Sequence, residues 1–211
     1  MEKTWKIFDE YADEYDTWYE KYPLIYESEI LAIRPHLILT EKSLEIGVGT
    51  GRFAKALGIK FGIDPAFKMV KLAKERGINV IIGIAEKLPF LDNTFELILM
   101  ITTLCFIKNP LKAIEECKRV LKPKGKLVLG IIDKNSFLGR LYEEKKNKSK
   151  FYKNAKFFST KEIIFLLKNA GFLNFKITQT LFKPIYDISE VELVKEGYGK
   201  GGFVVISAEK P

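Results

Sequence analysis

Three glycines at alternate positions, Gly47, Gly49 and Gly51, follow a short apolar run and stand just behind the carboxylate of Glu45 in the segment SLEIGVGTGRF, residues 43–53. Glycine removes the Cβ where a chain must bend and where a ligand must touch backbone, so this spacing reads as a cofactor loop at the end of a strand. A dinucleotide fingerprint, G-x-G-x-x-G, would need its third glycine at position 52, where Arg52 stands. Asp64 ends the next apolar segment about 19 residues past Glu45, close to the interval of roughly 20 at which an acidic residue meets a ribose in nucleotide-binding βαβ units. Asp64-Pro65 also reads as an N-cap followed by proline at the first helical position, with Gly77 ending that helix. Both roles can hold together.

The elements that must position these residues are legible as alternating patterns. Leu44 and Ile46 have strand alternation, and further apolar runs cover 59–63, 79–83 and 95–101. An amphipathic helix is predicted from Pro110 to Leu121, with Leu111, Ile114, Cys117 and Leu121 on one face. Lys122-Pro123-Lys124-Gly125 breaks it, and 126–132 makes a fifth strand. Ser159-Thr160-Lys161-Glu162 is a capping box opening a helix that Gly171 closes, and 175–182 and 203–208 supply two more strands. This alternation predicts an α/β fold with a mostly parallel sheet, helices on both faces and an antiparallel edge.

The glycine loop with Glu45 two residues before it resembles the first motif of class I S-adenosylmethionine-dependent methyltransferases. The segment Ala85-Glu86-Lys87-Leu88-Pro89-Phe90 is similar to that family's adenine-side motif, and Arg119 to Leu127 to its R-x-L-K-P-G-G-x-L stretch. Relatives usually carry Asp where this chain has Glu96, and often Gly where it has Lys124. The opening Phe8-Asp9-x-x-Ala12-x-x-Tyr15-Asp16 resembles the start of many small type-11 members of the family, the group that includes quinone-biosynthesis enzymes. The resemblance implies a seven-stranded Rossmann-like sheet in the order 3-2-1-4-5-7-6 with strand 7 antiparallel. It implies S-adenosyl-L-methionine as cofactor, bound by Glu45, Gly47, Gly49, Gly51, Asp64, Ala85, Glu86 and Ile101. A single domain is expected over 1–211, with a helical cap at 1–38, a cofactor core at 39–133, a lysine-rich insertion at 134–158 and a C-terminal helix with edge strands at 159–211.

Methyl transfer from a sulfonium needs the acceptor held in line and water excluded, so positioning suffices and no catalytic residue is assigned. His36, the only histidine, lies before the first strand, at the wrong end of the sheet. Cys105, just past the fourth strand, reads as a buried apolar thiol rather than a nucleophile. Tyr11, Tyr15 and Trp18 fall on one helical stripe that would roof the site and, with Thr102, line an acceptor pocket. No metal-ligating set is assigned.

The chain has 211 residues, enough for one sizeable core, and a formal net charge of +8. Its two cysteines suggest no disulfide framework, no apolar run reaches a membrane span and no signal peptide is visible, so a cytoplasmic protein is expected. Abundant Lys and Glu with a single glutamine, Gln179, is a thermophile-like bias. Lys145, Lys146, Lys148, Lys150, Lys153 and Lys156, beside Phe151, Tyr152, Phe157 and Phe158, permit two readings: a solvated helix, or a platform for RNA. The favoured expectation is methyl transfer to a small-molecule acceptor. A tRNA or rRNA methyltransferase using the lysine-rich insertion and a catalytically silent cofactor-binding partner subunit are the alternatives, and oligomeric state is not read from the sequence.

Overall fold

The computed structural model describes residues 4–211. Three helices, α1 (Lys6–Glu10), α2 (Ala12–Lys21) and α3 (Pro23–Ile33), precede a run of alternating units. These are β1 (Ser43–Ile46), α4 (Arg52–Leu57), β2 (Phe61–Asp64), α5 (Phe67–Glu75), β3 (Asn79–Ile82), β4 (Phe95–Ile101), α6 (Pro110–Val120) and β5 (Leu121–Ile132). The chain continues through α7 (Phe137–Lys145), α8 (Thr160–Asn169), β6 (Leu173–Thr180), β7 (Lys195–Glu196) and β8 (Phe203–Glu209).

The strands form one sheet in the order β3-β2-β1-β4-β5-β8-β6-β7. β1 to β5 are mutually parallel, while β8 runs antiparallel to both β5 and β6. Helices return the chain between most of these parallel strands, β3 to β4 passing without one, and β8 reverses because no α-helix separates it from β6. The expected order holds, with β8 as its seventh strand. One detail differs: β7, two residues long, adds itself to the open edge of β6 through Thr178 and Gln179, where unpaired backbone groups invite another strand.

Both faces of the sheet are covered, so its central strands are apolar on both sides rather than alternating with polar residues. Ile98 and Met100 of β4 join Leu127 and Leu129 of β5 beneath α6 and α8. Leu97, Leu99 and Ile101 join Val128 and Phe203 on the opposite face, where α3, α4 and Leu138 of α7 pack. The inward stripe of α6 is Ala113, Ile114, Cys117 and Val120, whereas Leu111 is 39% exposed, a correction to the expected face. Asn109 caps the helix by accepting from the Lys112 amide, and at 3.6 residues per turn Leu111 falls about 120° from the middle of that stripe. Lys122 to Gly125 sit within β5 as a bulge: Leu121 pairs with Phe95, and pairing resumes at Lys126 with Leu97. The capping box at α8 forms as the sequence predicts, Ser159 and Glu162 each accepting from the other's backbone.

Candidate functional site

Four strand ends converge at the carboxyl edge of the sheet. The amides of Gly47 and Val48 donate to Ile63 O at 2.8 and 3.1 Å, which ties the glycine loop to the end of β2. Gly83 N donates to Asp64 O at 3.2 Å, drawing in the end of β3, and Thr103 Oγ1 donates to Gly47 O at 3.4 Å from beyond β4. Gly47, Gly49, Gly51, Asp64 and the 83–86 turn are thus brought together. Ala85 is buried in the core beside Ile63, while Glu86 is half-buried and accepts from the Asn109 amide at 3.3 Å.

The three glycines serve different purposes. A Cβ at Gly47 would lie 2.2 Å from the Thr103 side chain and one at Gly51 would lie 3.0 Å from Ala73, so these two are required by the protein's own packing. A Cβ at Gly49 would meet nothing within 4 Å, and its φ of +52° favours glycine. Gly49 is therefore the loop's open face.

Asp64 accepts from Gly49 N through Oδ2 at 3.0 Å and from Ala66 N through Oδ1 at 2.9 Å. Burial pushes its carboxyl up to about 6, against the pull of those two amides. The helix after it begins at Phe67 with Ala66 as its N-cap, so Asp64 acts two residues before the cap and Pro65 is outside the helix, a correction to the expected boundary. Glu45 lies beneath the loop, fully buried, with Oε2 lacking any hydrogen-bond partner, and burial holds it well above the ordinary carboxylate range. Ile101 is buried in the sheet face under α3 and α4. Thr102, one residue on, adopts φ +47°, a left-handed conformation that is strained for a β-branched residue.

The N-terminal segment is pinned over this loop. Asp16 of α2 accepts from Thr50 Oγ1 at 2.5 Å, from Arg52 Nε at 2.9 Å and Nη2 at 2.5 Å, and from Arg76 Nη2 at 2.6 Å. Although burial works in the opposite direction, hydrogen bonds from Arg52, Thr50 and Arg76 pull Asp16 down to about 2. Asp9 accepts from Lys68 N at 2.8 Å, and Ala12 packs on Ala66 and Met69 immediately after Asp64. Asp16 closes the Phe8-to-Asp16 motif of the sequence, but that motif does not give its partners, which lie 34 to 60 residues away.

Beneath α2 and α3 lies a cavity of about 430 Å³. Its walls are Tyr15, Trp18 and Tyr19 from α2, Ile25 and Glu29 from α3, Tyr142 from α7, and Phe151 and Tyr152 beyond it. Thr102 and Ile132, just past β4 and at the end of β5, form its floor at the carboxyl edge. Tyr15 and Trp18 thus share the cavity with Thr102, as the aromatic stripe predicts. Tyr11 does not: the chain breaks between α1 and α2 at Tyr11, and its ring lies under Lys150 Nζ at 4.0 Å. Helical spacing holds only within one helix, so the expected three-residue stripe ends at Tyr15.

Glu29 is the residue that the sequence reading missed. It stands four residues after Ile25 and four before Ile33, both buried, so its place on an inward helical face is legible in the spacing. His36 lies elsewhere, sharing 2.8 Å hydrogen bonds with Ser207 Oγ and Thr178 Oγ1, and burial lowers it to about 4. Burial raises the Cys105 thiol to about 12, which leaves it un-ionised and unsuited to nucleophilic attack.

A family model described as a methyltransferase domain matches residues 44–129. The chain is 58% identical over 204 residues to an uncharacterised protein of Methanocaldococcus jannaschii, covering 97% of this chain and 98% of that one. It is 31% identical over 151 residues to the demethylmenaquinone methyltransferase of Thermotoga maritima, covering 65% of this chain and 66% of that one. A crystal structure from Thermotoga maritima, described as a SAM-dependent methyltransferase and "possible histamine N-methyltransferase", superposes with a TM-score of 0.95 at 48% identity, covering 99% of this chain and all of that one. No helix among the described residues is long and apolar enough to cross a membrane.

Proposed function

The chain belongs to the class I S-adenosylmethionine-dependent methyltransferases of the type-11 group, and from that premise we propose that it methylates a small molecule held in the cavity beneath α2 and α3. The activity is methyl transfer and the cofactor is S-adenosylmethionine. When bound, the cofactor supplies a methyl already activated on sulfur: one acceptor–carbon bond forms, one carbon–sulfur bond breaks, and a neutral thioether leaves.

The loop residues fit that cofactor. Gly49 offers open backbone where a Cβ would otherwise project, and Asp64, a carboxylate with 8% exposure beside it, is suited to accept from ribose hydroxyls. Ala85 and Glu86 would flank the adenine, Ile101 would close the floor, and Glu45 would support the loop from below. Thr102, Tyr15 and Trp18 would face the acceptor.

The observation that carries the small-molecule reading is the cavity of about 430 Å³ that reaches Thr102, next to Thr103, whose hydroxyl bonds the glycine loop. Tyr15 spans the two sites: it walls the cavity and packs with Ala12 and Ala66, just past Asp64. With His36 remote and Cys105 inert, positioning and water exclusion are the chain's contribution to rate. The aromatics that an RNA platform would need for stacking point inward: Phe157 and Phe158 are buried, and Phe151 stacks on Phe8 at 5.5 Å. Incubation with methyl-labelled cofactor and fractionated cell extract tests the reading. Label in the small-molecule fraction is expected; label in RNA supports the nucleic-acid alternative, and binding without transfer to any fraction supports a silent partner subunit.

A further inference from the structure

The cavity wall carries one buried acidic side chain of its own. Glu29 is 7% exposed, lines the cavity, and makes no hydrogen bond or ion pair with any described residue. The other charged residues of the lining, Glu14 and Lys21, are exposed on α2, and Glu14 is already paired with Lys150 Nζ at 2.5 Å. An unpaired carboxylate inside a protein is costly, and a chain that keeps one in a pocket wall has a use for it.

Glu29 shares the cavity wall with Tyr15, Trp18, Tyr19, Tyr22, Tyr142 and Tyr152. Tyr15, Tyr19, Tyr142 and Tyr152 line the same cavity as Glu29, whose charge adds, behind the larger effect of burial, to raising their hydroxyls. The Tyr15 and Tyr19 hydroxyls already bond each other at 3.0 Å, so these two rings offer the cavity mainly their faces and edges. Aromatic faces attract cations, and a carboxylate among them completes a binding site for an alkylated or protonated nitrogen. Beside an ammonium the carboxyl ionises and gains a charge partner, whereas an anionic acceptor keeps it protonated and a neutral one gives it no charge to pair with.

We propose that the acceptor is a small basic amine, and that Glu29 holds its ammonium inside the ring of tyrosines and Trp18. This rests on the small-molecule acceptor reading above and supplies the acceptor's chemical class. The atom that receives the methyl is a separate matter, since a diamine or an imidazolyl amine presents a second nitrogen.

Calorimetry on the full chain saturated with S-adenosylhomocysteine tests it, using phenethylamine, histamine and putrescine against phenethyl alcohol and phenylacetate as neutral and anionic counterparts. At least one amine is expected to bind, tenfold or more tighter than the alcohol and the acid. Glu29→Gln, nearly isosteric and uncharged, is expected to erase that preference by weakening the amine tenfold or more, while affinity for S-adenosylhomocysteine stays within twofold. Equal binding of amine and counterpart, absence of binding by every amine, or an unchanged amine affinity in a folded Glu29→Gln protein would overturn the proposal. Failure of S-adenosylhomocysteine itself to bind is a different result, one that overturns the cofactor-loop reading on which the whole site depends.

Discussion

Replacing Glu29 by glutamine should change how stability depends on pH, with a sign fixed by burial. Burial raises the carboxyl from an ordinary 4.5 to about 8, so between those values the folded chain holds a proton that the unfolded chain has released. The stabilisation associated with that proton is fully present below about pH 4.5 and is lost as pH rises through about 8. At 1.36 kcal/mol per pH unit the full interval is worth on the order of 5 kcal/mol, and roughly 3 kcal/mol of it is gone by pH 7. These are ceilings, because water entering a 430 Å³ cavity screens the charge. Asp64, raised to about 6, Glu45, raised further, and His36, lowered to about 4, also titrate differently in the folded state. The variant retains all three, so the difference between the two proteins isolates Glu29. Urea unfolding from pH 4.5 to 8.5 without ligand should give a variant whose stability advantage over wild type grows by about 2 to 4 kcal/mol as pH rises. Parallel curves would refute the reasoning, because Glu29 would then be as well solvated folded as unfolded. A bound amine should flatten the wild-type slope by pairing the ionised carboxylate.

The glycines should separate packing from binding: Gly47→Ala, forced against Thr103, should lose stability by several kcal/mol in urea unfolding, whereas Gly49→Ala should lose only about 1 to 2 kcal/mol of backbone strain yet bind S-adenosylhomocysteine far more weakly. Asp64→Ala should weaken cofactor binding by roughly 1.5 to 3 kcal/mol by calorimetry, the scale of hydrogen bonds to a charged group. Asp16→Ala releases α2 from Arg52, Arg76 and Thr50, and hydrogen exchange across residues 8–20 should accelerate roughly ten- to hundredfold while the β4 and β5 amides stay protected. Replacing Lys145, Lys146 and Lys148 with glutamine should leave methyl transfer largely intact. Adding Lys150→Gln should loosen the N-terminal segment in the same exchange assay, since Lys150 pairs with Glu14 and caps the Tyr11 ring.

Much of the cofactor half was legible because its signals are local. A glycine loop, a carboxylate at the end of the following strand and alternating strand and helix patterns each occupy a few consecutive residues, and the crossover rule converts their order into a parallel sheet. The antiparallel edge followed from a missing helix between two strands. Where boundaries slipped, as at Pro65 and the bulge from Lys122 to Gly125, the deciding contacts were not in the pattern read: the Asp64 hydrogen bonds and the Lys124 amide donating to Lys210 O at 2.9 Å.

The acceptor half was legible only in fragments. The sequence alone determined that Tyr15 and Trp18 share a helical face and that Glu29 falls in step with Ile25 and Ile33. It did not determine that Tyr142, Phe151 and Tyr152 return from more than 100 residues away to close a cavity around them. It could not distinguish Gly49, open to a ligand, from Gly47 and Gly51, which make room for Thr103 and Ala73. Nor could it find the partners of Asp16, whose carboxylate joins α2 to the loop through two arginines and a threonine. Local propensity and periodicity are properties of short windows of chain. A cavity, a buried charge and a clamp are properties of the distances between windows, and those distances exist only once the sheet has brought its strand ends together.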